Sequence, residues 1–291
     1  KRIFAKKRSY FISLVTIQFN PCFHRSPPFL TMHATEILLV GTGAFLAGGM
    51  NAIAGGGTFF SFPALLAAGV PPVMANASNT VGLCPASLIS AWAYRREALR
   101  HGKWAVLLMI VSLFGGISGG LLLLATSNAA FSKLIPWLLL VATALFAFSS
   151  QVSRMVKWSK AKLGGDVTQH NPGGPGGALF QFIVAVYGGF FGAGMGILTL
   201  AALSIQGFDD IQEINALKNL TSGINYFVSS ATFIIAGAIS WPHTLVMLLT
   251  AMLGGYVGAV FARQLPAIWL KRLVIGVGSC LTLVYFSKTY L

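Results

Sequence analysis

Charged side chains are scarce in this sequence, and acidic ones are the scarcest. Only 9% of the 291 residues are charged, and Asp and Glu together number 6. An average soluble domain has roughly 25% charged residues. The deficit excludes an ordinary water-soluble domain, and the 55% share of hydrophobic residues instead predicts a membrane protein.

The shortage of acids also argues against catalysis. Hydrolysis or group transfer needs a nucleophile with its base, paired carboxylates or metal ligands. No acid lies near the centre of an apolar run, and no histidine is positioned to activate a serine or threonine. We therefore expect a protein that is not an enzyme, with an intramembrane enzyme acting on a lipid or small substrate as the alternative. The six acids are Glu36, Glu97, Asp166, Asp209, Asp210 and Glu213.

Cysteine is almost absent as well. Cys22, Cys84 and Cys280 are far apart in the sequence and form no pair with metal-ligand spacing. A free cysteine usually packs as a small hydrophobic residue. The sequence therefore predicts no metal site and no bound cofactor.

Basic residues are more numerous, with a formal net charge of +14. They lie in short clusters between apolar runs rather than along one amphipathic face, so membrane lipid and not nucleic acid is the predicted partner. Cytoplasmic loops of membrane proteins carry an excess of Lys and Arg. This rule predicts that loop 95–103 and the connection 151–176 face the cytoplasm. Segment 205–213 contains three acids and no basic residue, and is predicted to lie on the other side.

The apolar runs predict an all-α integral membrane protein of about eight transmembrane segments. A membrane-spanning helix needs about 20 mainly apolar residues, and lipid offers no partner for the backbone of an open sheet. The runs cover about 36–56 with a glycine-rich continuation to 68, and then 73–94, 104–125, 133–150, 177–204, 213–237, 243–262 and 266–287.

These runs divide the chain into four parts. Residues 1–31 precede the first methionine, Met32, and are expected to be an N-terminal extension outside the fold. They are either translated sequence upstream of the native start or a stretch that resembles the charged and apolar regions of a signal peptide. Residues 32–150 form a first membrane repeat and residues 177–291 a second. The polar, glycine-rich stretch 151–176 is the predicted cytoplasmic linker.

A shift of about 140 positions superimposes the two repeats. It brings Gly49 onto Gly189, Gly56 onto Gly196, and Asn79 onto Asn219. Matches of glycine and asparagine at one offset are less common by chance than matches of leucine. The pattern predicts an internal duplication, without deciding whether the repeats are parallel or inverted.

The first segment of each half is interrupted by glycines. Paired interruptions of this kind are a sequence indicator of a transporter's substrate site, because unwound backbone leaves N–H groups and helix N-termini free to meet an anion. The alternative is that these glycines only allow helices to pack closely. The predicted site glycines are Gly55, Gly56, Gly57, Gly192, Gly194 and Gly196.

Polar residues beside these segments complete the predicted substrate site. Lys218 lies in the first turns of an apolar run, where a charged side chain is costly. It either supplies positive charge along the path of an anion, or extends to the membrane interface, or pairs with Glu213. The amides can line a central cavity, with helix capping as the alternative. The candidates are Asn51, Asn76, Asn79, Thr80, Asn215, Lys218, Asn219 and Ser222.

In these motifs the chain resembles the TauE/SafE sulfite exporter family, also called the 4-toluene sulfonate uptake permease family. The resemblance rests on the glycine-rich segments 48–57 and 189–196, on 63–66, 69–72 and 75–80, and on 215–219, and it spans residues 36–288. It implies a multi-pass inner-membrane protein that moves sulfite, an organosulfonate or a related small anion without ATP and without a cofactor. An anion channel stays open as an alternative, as do the coupling ion and the oligomeric state.

Overall fold

A computed structural model describes residues 32–53, 56–162, 175–206, 208, 210–261 and 267–290. Its regular elements within these ranges are helices, which confirms the predicted all-α class. In chain order they are α1 (Ala34–Ile53), α2 (Thr58–Ala67), α3 (Pro72–Ala93), α4 (Arg95–Leu99), α5 (Lys103–Ala125), α6 (Asn128–Lys162), α7 (Pro175–Phe190), α8 (Met195–Ile205), α9 (Ile211–Ile235), α10 (Trp241–Phe261) and α11 (Ala267–Tyr290).

The outer helix faces are apolar, as lipid requires. On α10 the exposed residues Leu245, Leu249, Met252, Leu253 and Tyr256 recur every three or four positions and form one outward face. Within the described residues, three helical stretches are both long and apolar enough to cross a membrane by themselves, namely Lys103–Ala125, Asn128–Phe148 and Arg272–Tyr290. The fold is that of an integral membrane protein.

Helices α1 and α2 form a helical hairpin. A Cβ atom on Gly43 would lie 2.6 Å from the Cβ atom of Ala64, and one on Gly57 would lie 2.5 Å from the carbonyl oxygen of Ala47. Later residues of α2 therefore contact earlier residues of α1. The chain enters along α1, turns at the glycines, and comes back along α2.

Helices α7 and α8 form a second hairpin, which changes how the run 177–204 is understood. The Gln206 side chain donates a hydrogen bond from Nε2 to the carbonyl oxygen of Gly177 (3.3 Å). Gln206, the residue that directly follows α8, thus lies beside the first turn of α7. The run is not one straight segment, because the chain leaves the helix after Phe190 and returns from Met195 to the end where it began.

Each hairpin is held by a glycine seam. We use this name for the close backbone contact between the first, longer helix of the hairpin and a spanning helix. In the first seam, α1 meets α10, and a Cβ on Gly48 would collide with the carbonyl of Ala251. In the second, α7 meets α5, and a Cβ on Gly119 would collide with the carbonyl of Val186. Small residues allow such close approach in membranes. Close packing is therefore the role of these glycines.

Helix partners are exchanged between the two halves of the chain. Helix α1 of the first half packs on α10 of the second, and α7 of the second packs on α5 of the first. Helices α3 and α9 pack on each other, as do α6 and α11. Because three long helices, α3, α5 and α6, cross the bundle between the two hairpins, the hairpins enter from opposite ends. The internal duplication stays a prediction.

The acidic segment lies on the same side as the basic loop, so the prediction that segment 205–213 lies on the other side is wrong. The Glu213 carboxylate lies 3.9 Å from Nε2 of His101, and the rings of His101 and Phe208 are 5.3 Å apart. The physical reason is the second hairpin, which returns the chain to the side it came from. We call this end of the bundle, which also holds the start of α11 with Arg272, the basic face.

The predicted linker begins inside a helix. Helix α6 continues to Lys162, so residues 151–162 are helical and carry four basic residues toward the basic face. The rest of the predicted linker up to 174, and the predicted extension 1–31, lie outside the described residues.

The shared side of the two loops can be tested by thiol labelling. In a variant without native cysteines, we expect Asp210→Cys and Arg100→Cys to react with a membrane-impermeant maleimide from the same side of the membrane. Lys133→Cys, at the start of α6, should react from the other side because α6 crosses the bundle. Labelling of Asp210→Cys together with Lys133→Cys would contradict the return of the second hairpin.

Candidate functional site

The two hairpin tips meet against one turn of α6. A Cβ atom on Gly194, in the second tip, would lie 3.6 Å from Ala142, and one on Gly56, in the first tip, would lie 3.1 Å from the ring of Phe146. Ala142 and Phe146 are four residues apart on α6 and thus face the same way. The interrupted segments of the two halves therefore converge inside the bundle.

Tyr226 of α9 connects the same two tips. A Cβ on Gly192 would lie 3.6 Å from the Tyr226 hydroxyl, and the Tyr226 side chain also forms a hydrogen bond with Thr58, the first residue of α2. The second tip also packs on the first hairpin through the rings of Phe191 and Phe62, which meet edge to face at 5.6 Å. Residues from both halves therefore form one junction.

Left-handed glycines make the second tip. Gly192 has φ +81° and Gly194 has φ +77°, values that L side chains adopt only at a cost. The Tyr187 hydroxyl closes the turn by donating a hydrogen bond to the carbonyl oxygen of Ala193 (2.7 Å). The geometry ends α7 at Phe190 and starts α8 at Met195, with the N-terminus of α8 inside the bundle.

In the first half, Asn79 joins two helices, and Thr80 forms a hydrogen bond within its own helix. Asn79 is 1% exposed, accepts a hydrogen bond from the Ser61 hydroxyl, and donates one to Oγ1 of Thr58 at 3.3 Å. The buried Thr80 hydroxyl donates to the carbonyl oxygen of Asn76 (3.0 Å). The Asn79 contacts fix α2 on α3, and both side chains are buried without an open surface.

Asn76 joins the first half to the second tip. Its Nδ2 donates a hydrogen bond to the carbonyl oxygen of Phe190 at 2.8 Å, where α7 ends. Its Oδ1 is buried and has no hydrogen-bond partner. The Asn76 side chain is fully buried, with 0% exposure.

In the second half the predicted polar residues are partly accessible and form a polar stripe along α9. We use this name for five partly accessible residues on one helix face at spacings of three, four, seven and eleven residues. The stripe begins near the basic face, at the start of α9, and ends at the junction of the tips. Its members are Asn215, Lys218, Asn219, Ser222 and Tyr226.

Lys218 lies beside the start of α8. A Cβ on Gly196, the second residue of that helix, would lie 3.7 Å from Cδ of Lys218. Among the described carboxylates none pairs with Lys218, and Glu213 pairs with His101 instead. The interpretation that Lys218 pairs with Glu213 is therefore wrong, and the stem of Lys218 lies near the N-terminus of α8.

The remaining predicted residues flank the first tip. Asn51 lies in the last turn of α1, with its Cβ atom 3.3 Å from where a Cβ on Gly57 would be. Gly55 lies outside the described residues. The sequence analysis did not identify Thr58, Ser61, Tyr187 or Tyr226 as site residues. The two tyrosines could have been recognised because each lies inside an apolar run, where a buried hydroxyl usually has a hydrogen-bond partner.

A cavity of about 890 Å³ opens elsewhere, away from the basic face, between the first hairpin and helices α6 and α11. Its walls are mostly apolar, with Lys133 and Lys288 among its lining residues. It does not include the glycines of the second tip or the polar stripe. The candidate site is therefore defined by the junction of the tips and not by this cavity.

Comparisons with known proteins point to membrane transport. Residues 40–285 match the model of the family described as sulfite exporter TauE/SafE. The chain is 31% identical over 237 residues to a probable membrane transporter protein of Haemophilus influenzae, covering 79% of this chain and 87% of that protein. It is 28% identical over 261 residues to the probable membrane transporter protein ORF9 of a Sinorhizobium species, covering 87% and 93%.

A third relative is the probable membrane transporter protein YfcA of Escherichia coli. It is 28% identical over 218 residues, which cover 74% of this chain and 77% of that protein. No solved structure matches the chain. The similarities cover the hairpins and most of the spanning helices described above.

Proposed function

Because the chain belongs to the TauE/SafE sulfite exporter family and is a multi-pass membrane transporter, we propose that it carries a small sulfur oxyanion or an organosulfonate through the junction of its hairpin tips. The membrane is proposed to be the inner membrane, with the basic face toward the cytoplasm. The protein acts as a secondary carrier, without ATP and without a cofactor.

The polar stripe of α9 is the observation that carries this proposal. It is a row of partly accessible amide, ammonium and hydroxyl groups, whereas the polar residues on the other faces of the same part of α9, Thr221, Asn225, Ser229 and Ser230, are buried. Polar groups at membrane depth are costly unless they face a partner or a water-filled path. A row that begins at the basic face and ends at Tyr226 fits an anion's path into the bundle.

The chemistry at the inner end of the stripe suits a negative charge. Helix α8 starts inside the bundle, and the N-terminus of a helix presents free N–H groups and the positive end of the helix dipole. The ammonium group of Lys218, beside Gly196, adds a full positive charge. Asn219 and Ser222 supply further donors, whereas Asn76 and Asn79 position the tips.

Alternating access follows from two hairpins that enter from opposite ends. We take the anion to be held between the tips, with one hairpin and then the other moving against α6 and α11. In the described conformation the residues of the polar stripe are partly accessible. Thr58 and Ser61 of the first hairpin are meanwhile buried.

Flux in proteoliposomes tests the proposal. Purified protein should take up radiolabelled sulfite, thiosulfate or an organosulfonate with a saturable rate and with counterflow, each measured against salt-matched, protein-free vesicles. An anion channel would pass current without counterflow. If none of the three anions moves faster than in protein-free vesicles, the substrate class is wrong.

Two neighbouring glycines offer a matched test of the second tip. Gly194→Ala places a side chain at φ +77°, which costs about 1–2 kcal/mol, and we expect flux to fall about tenfold. Gly196→Ala adds a methyl group in ordinary contact with Lys218, and flux should change less than about twofold. Initial rates at equal reconstituted amounts check this; equal rates in both variants would mean that the turn does not bear on transport.

A further inference from the structure

The unpartnered oxygen of Asn76 is the least explained polar atom at the junction of the tips. Its side chain is 0% exposed, and Oδ1 has no hydrogen-bond partner. Inside a membrane protein neither bulk water nor lipid head groups reach such an atom, so an unsatisfied group there is expensive. An atom in this position calls for a ligand.

The identity of the orphan atom decides which ligand fits. Nδ2 of Asn76 donates to the carbonyl oxygen of Phe190 at 2.8 Å, so reversing the amide would bring two oxygens together. The free atom is therefore an acceptor. An anion offers it nothing, whereas a cation or a hydrogen-bond donor satisfies it.

The surroundings are also those of a cation. Helix α7 ends at Phe190, and the last carbonyls of a helix have no partner within the helix and form the negative end of its dipole. At this end the Tyr187 carbonyl accepts from the N–H groups of Phe191 and Gly192, and the Phe190 carbonyl accepts from Nδ2 of Asn76, so Asn76 lies beside the carbonyl end of the helix. The oxygens are neutral, which suits a monovalent ion.

We propose that a sodium ion binds between Oδ1 of Asn76 and the carbonyl oxygens at the C-terminus of α7, and that it moves together with the anion. The co-movement rests on the proposed function; the binding does not. The segment 191–194 has a helix C-terminus on one side and a helix N-terminus on the other. A cation and an anion held there would enter the membrane as a pair, which lowers the cost of burying either charge.

Thermal unfolding tests the binding without any transport. For purified protein at equal ionic strength, the unfolding midpoint should be higher in NaCl than in KCl or choline chloride, and the increase should saturate with Na⁺ concentration. Asn76→Ala should raise the half-saturating Na⁺ concentration at least tenfold.

Asn225 provides the matched control. It is also buried, and its Nδ2 also donates to a carbonyl of α7, that of Ala185 at 2.8 Å, but its Oδ1 is not among the unpartnered atoms. Asn225→Ala should leave the half-saturating Na⁺ concentration within twofold. If the half-saturating Na⁺ concentration rises equally in Asn76→Ala and Asn225→Ala, the effect comes from general loss of structure and the proposed sodium site is wrong.

Two further outcomes separate this inference from the proposed function. If the wild-type midpoint is the same in NaCl, KCl and choline chloride, a water molecule fills the position and the cation site is wrong, whatever the flux. If Na⁺ stabilises the protein but none of the tested sulfur anions moves, the cation site stands and the substrate class falls. Uptake of ²²Na⁺ driven by an anion gradient would support joint movement, and its absence alongside anion flux would overturn it.

Discussion

Replacing Gly119 by alanine is expected to destabilise the folded transporter strongly, while the same change at Gly120 should have little effect. A Cβ atom on Gly119 would overlap the carbonyl oxygen of Val186 and lie 2.8 Å from the backbone nitrogen of Phe190. Backbone atoms cannot turn aside as a flexible side chain can. The methyl group must therefore separate α5 from α7 and loosen the second hairpin.

The neighbouring glycine makes the comparison sharp. A Cβ on Gly120 would meet Phe233 and Thr232 at 3.5 Å, which is ordinary contact. Overpacking of a tight interface costs about 3 kcal/mol, so the unfolding midpoint of Gly119→Ala should fall by roughly 5–10 °C, with little change for Gly120→Ala. Thermal unfolding and size-exclusion profiles in detergent measure both. Equal stability of the two variants would refute the glycine seam.

Replacing Lys218 by methionine is expected to lower kcat/KM for the anion by about 30- to 100-fold. A hydrogen bond to a charged group contributes about 2–3 kcal/mol, and each 1.4 kcal/mol corresponds to a factor of ten. Methionine keeps most of the length and apolar volume of the stem that packs beside Gly196. The loss should therefore come from the charge and not from packing.

Lys103→Met is the control for Lys218→Met. Lys103 starts α5 at the basic face and is exposed, so its removal changes the net charge equally but should alter kcat/KM less than about twofold. Lys218→Arg should recover part of the rate. Initial rates over a range of anion concentrations give both constants; unchanged kinetics for Lys218→Met would remove Lys218 from the anion's path.

The helices and their apolar character were predictable because each depends on a local property. Runs of about 20 apolar residues indicate spanning helices wherever they fold, and the boundaries of α3 and α5 lie within a residue or two of the predicted runs. The return of the second hairpin was not predictable in this way. The run 177–204 is long enough for one crossing, and only the contact of Gln206 with Gly177 reveals the turn.

The glycines illustrate a second limit of the sequence. Gly189 and Gly194 belong to the same glycine-rich segment, yet Gly189 lies against the carbonyl of Gly116 and Gly194 makes the left-handed turn. The difference depends on which helix lies alongside, and that helix is far away in the sequence. A glycine pattern can therefore indicate a special backbone position without telling close approach from a turn.

The amides show the same limit at the site. Asn79 and Asn219 coincide in the predicted repeat, but Asn79 is enclosed by Ser61 and Thr58, whereas Asn219 is partly accessible on α9. The residues that face them in the two halves differ, so equal positions acquire unequal surroundings. The candidate residues were predictable as a set, and their separate contacts were not.

The glycine seams also constrain how the protein is made. A ribosome delivers the N-terminal end first, yet α1 is completed against α10, which is among the last helices to emerge. Through most of translation the first hairpin must wait in the translocon or in lipid with its glycine surface uncovered. Helix α1 can therefore reach its final packing only after α10 has been synthesised. Chains truncated before α10 should remain targets for membrane quality control.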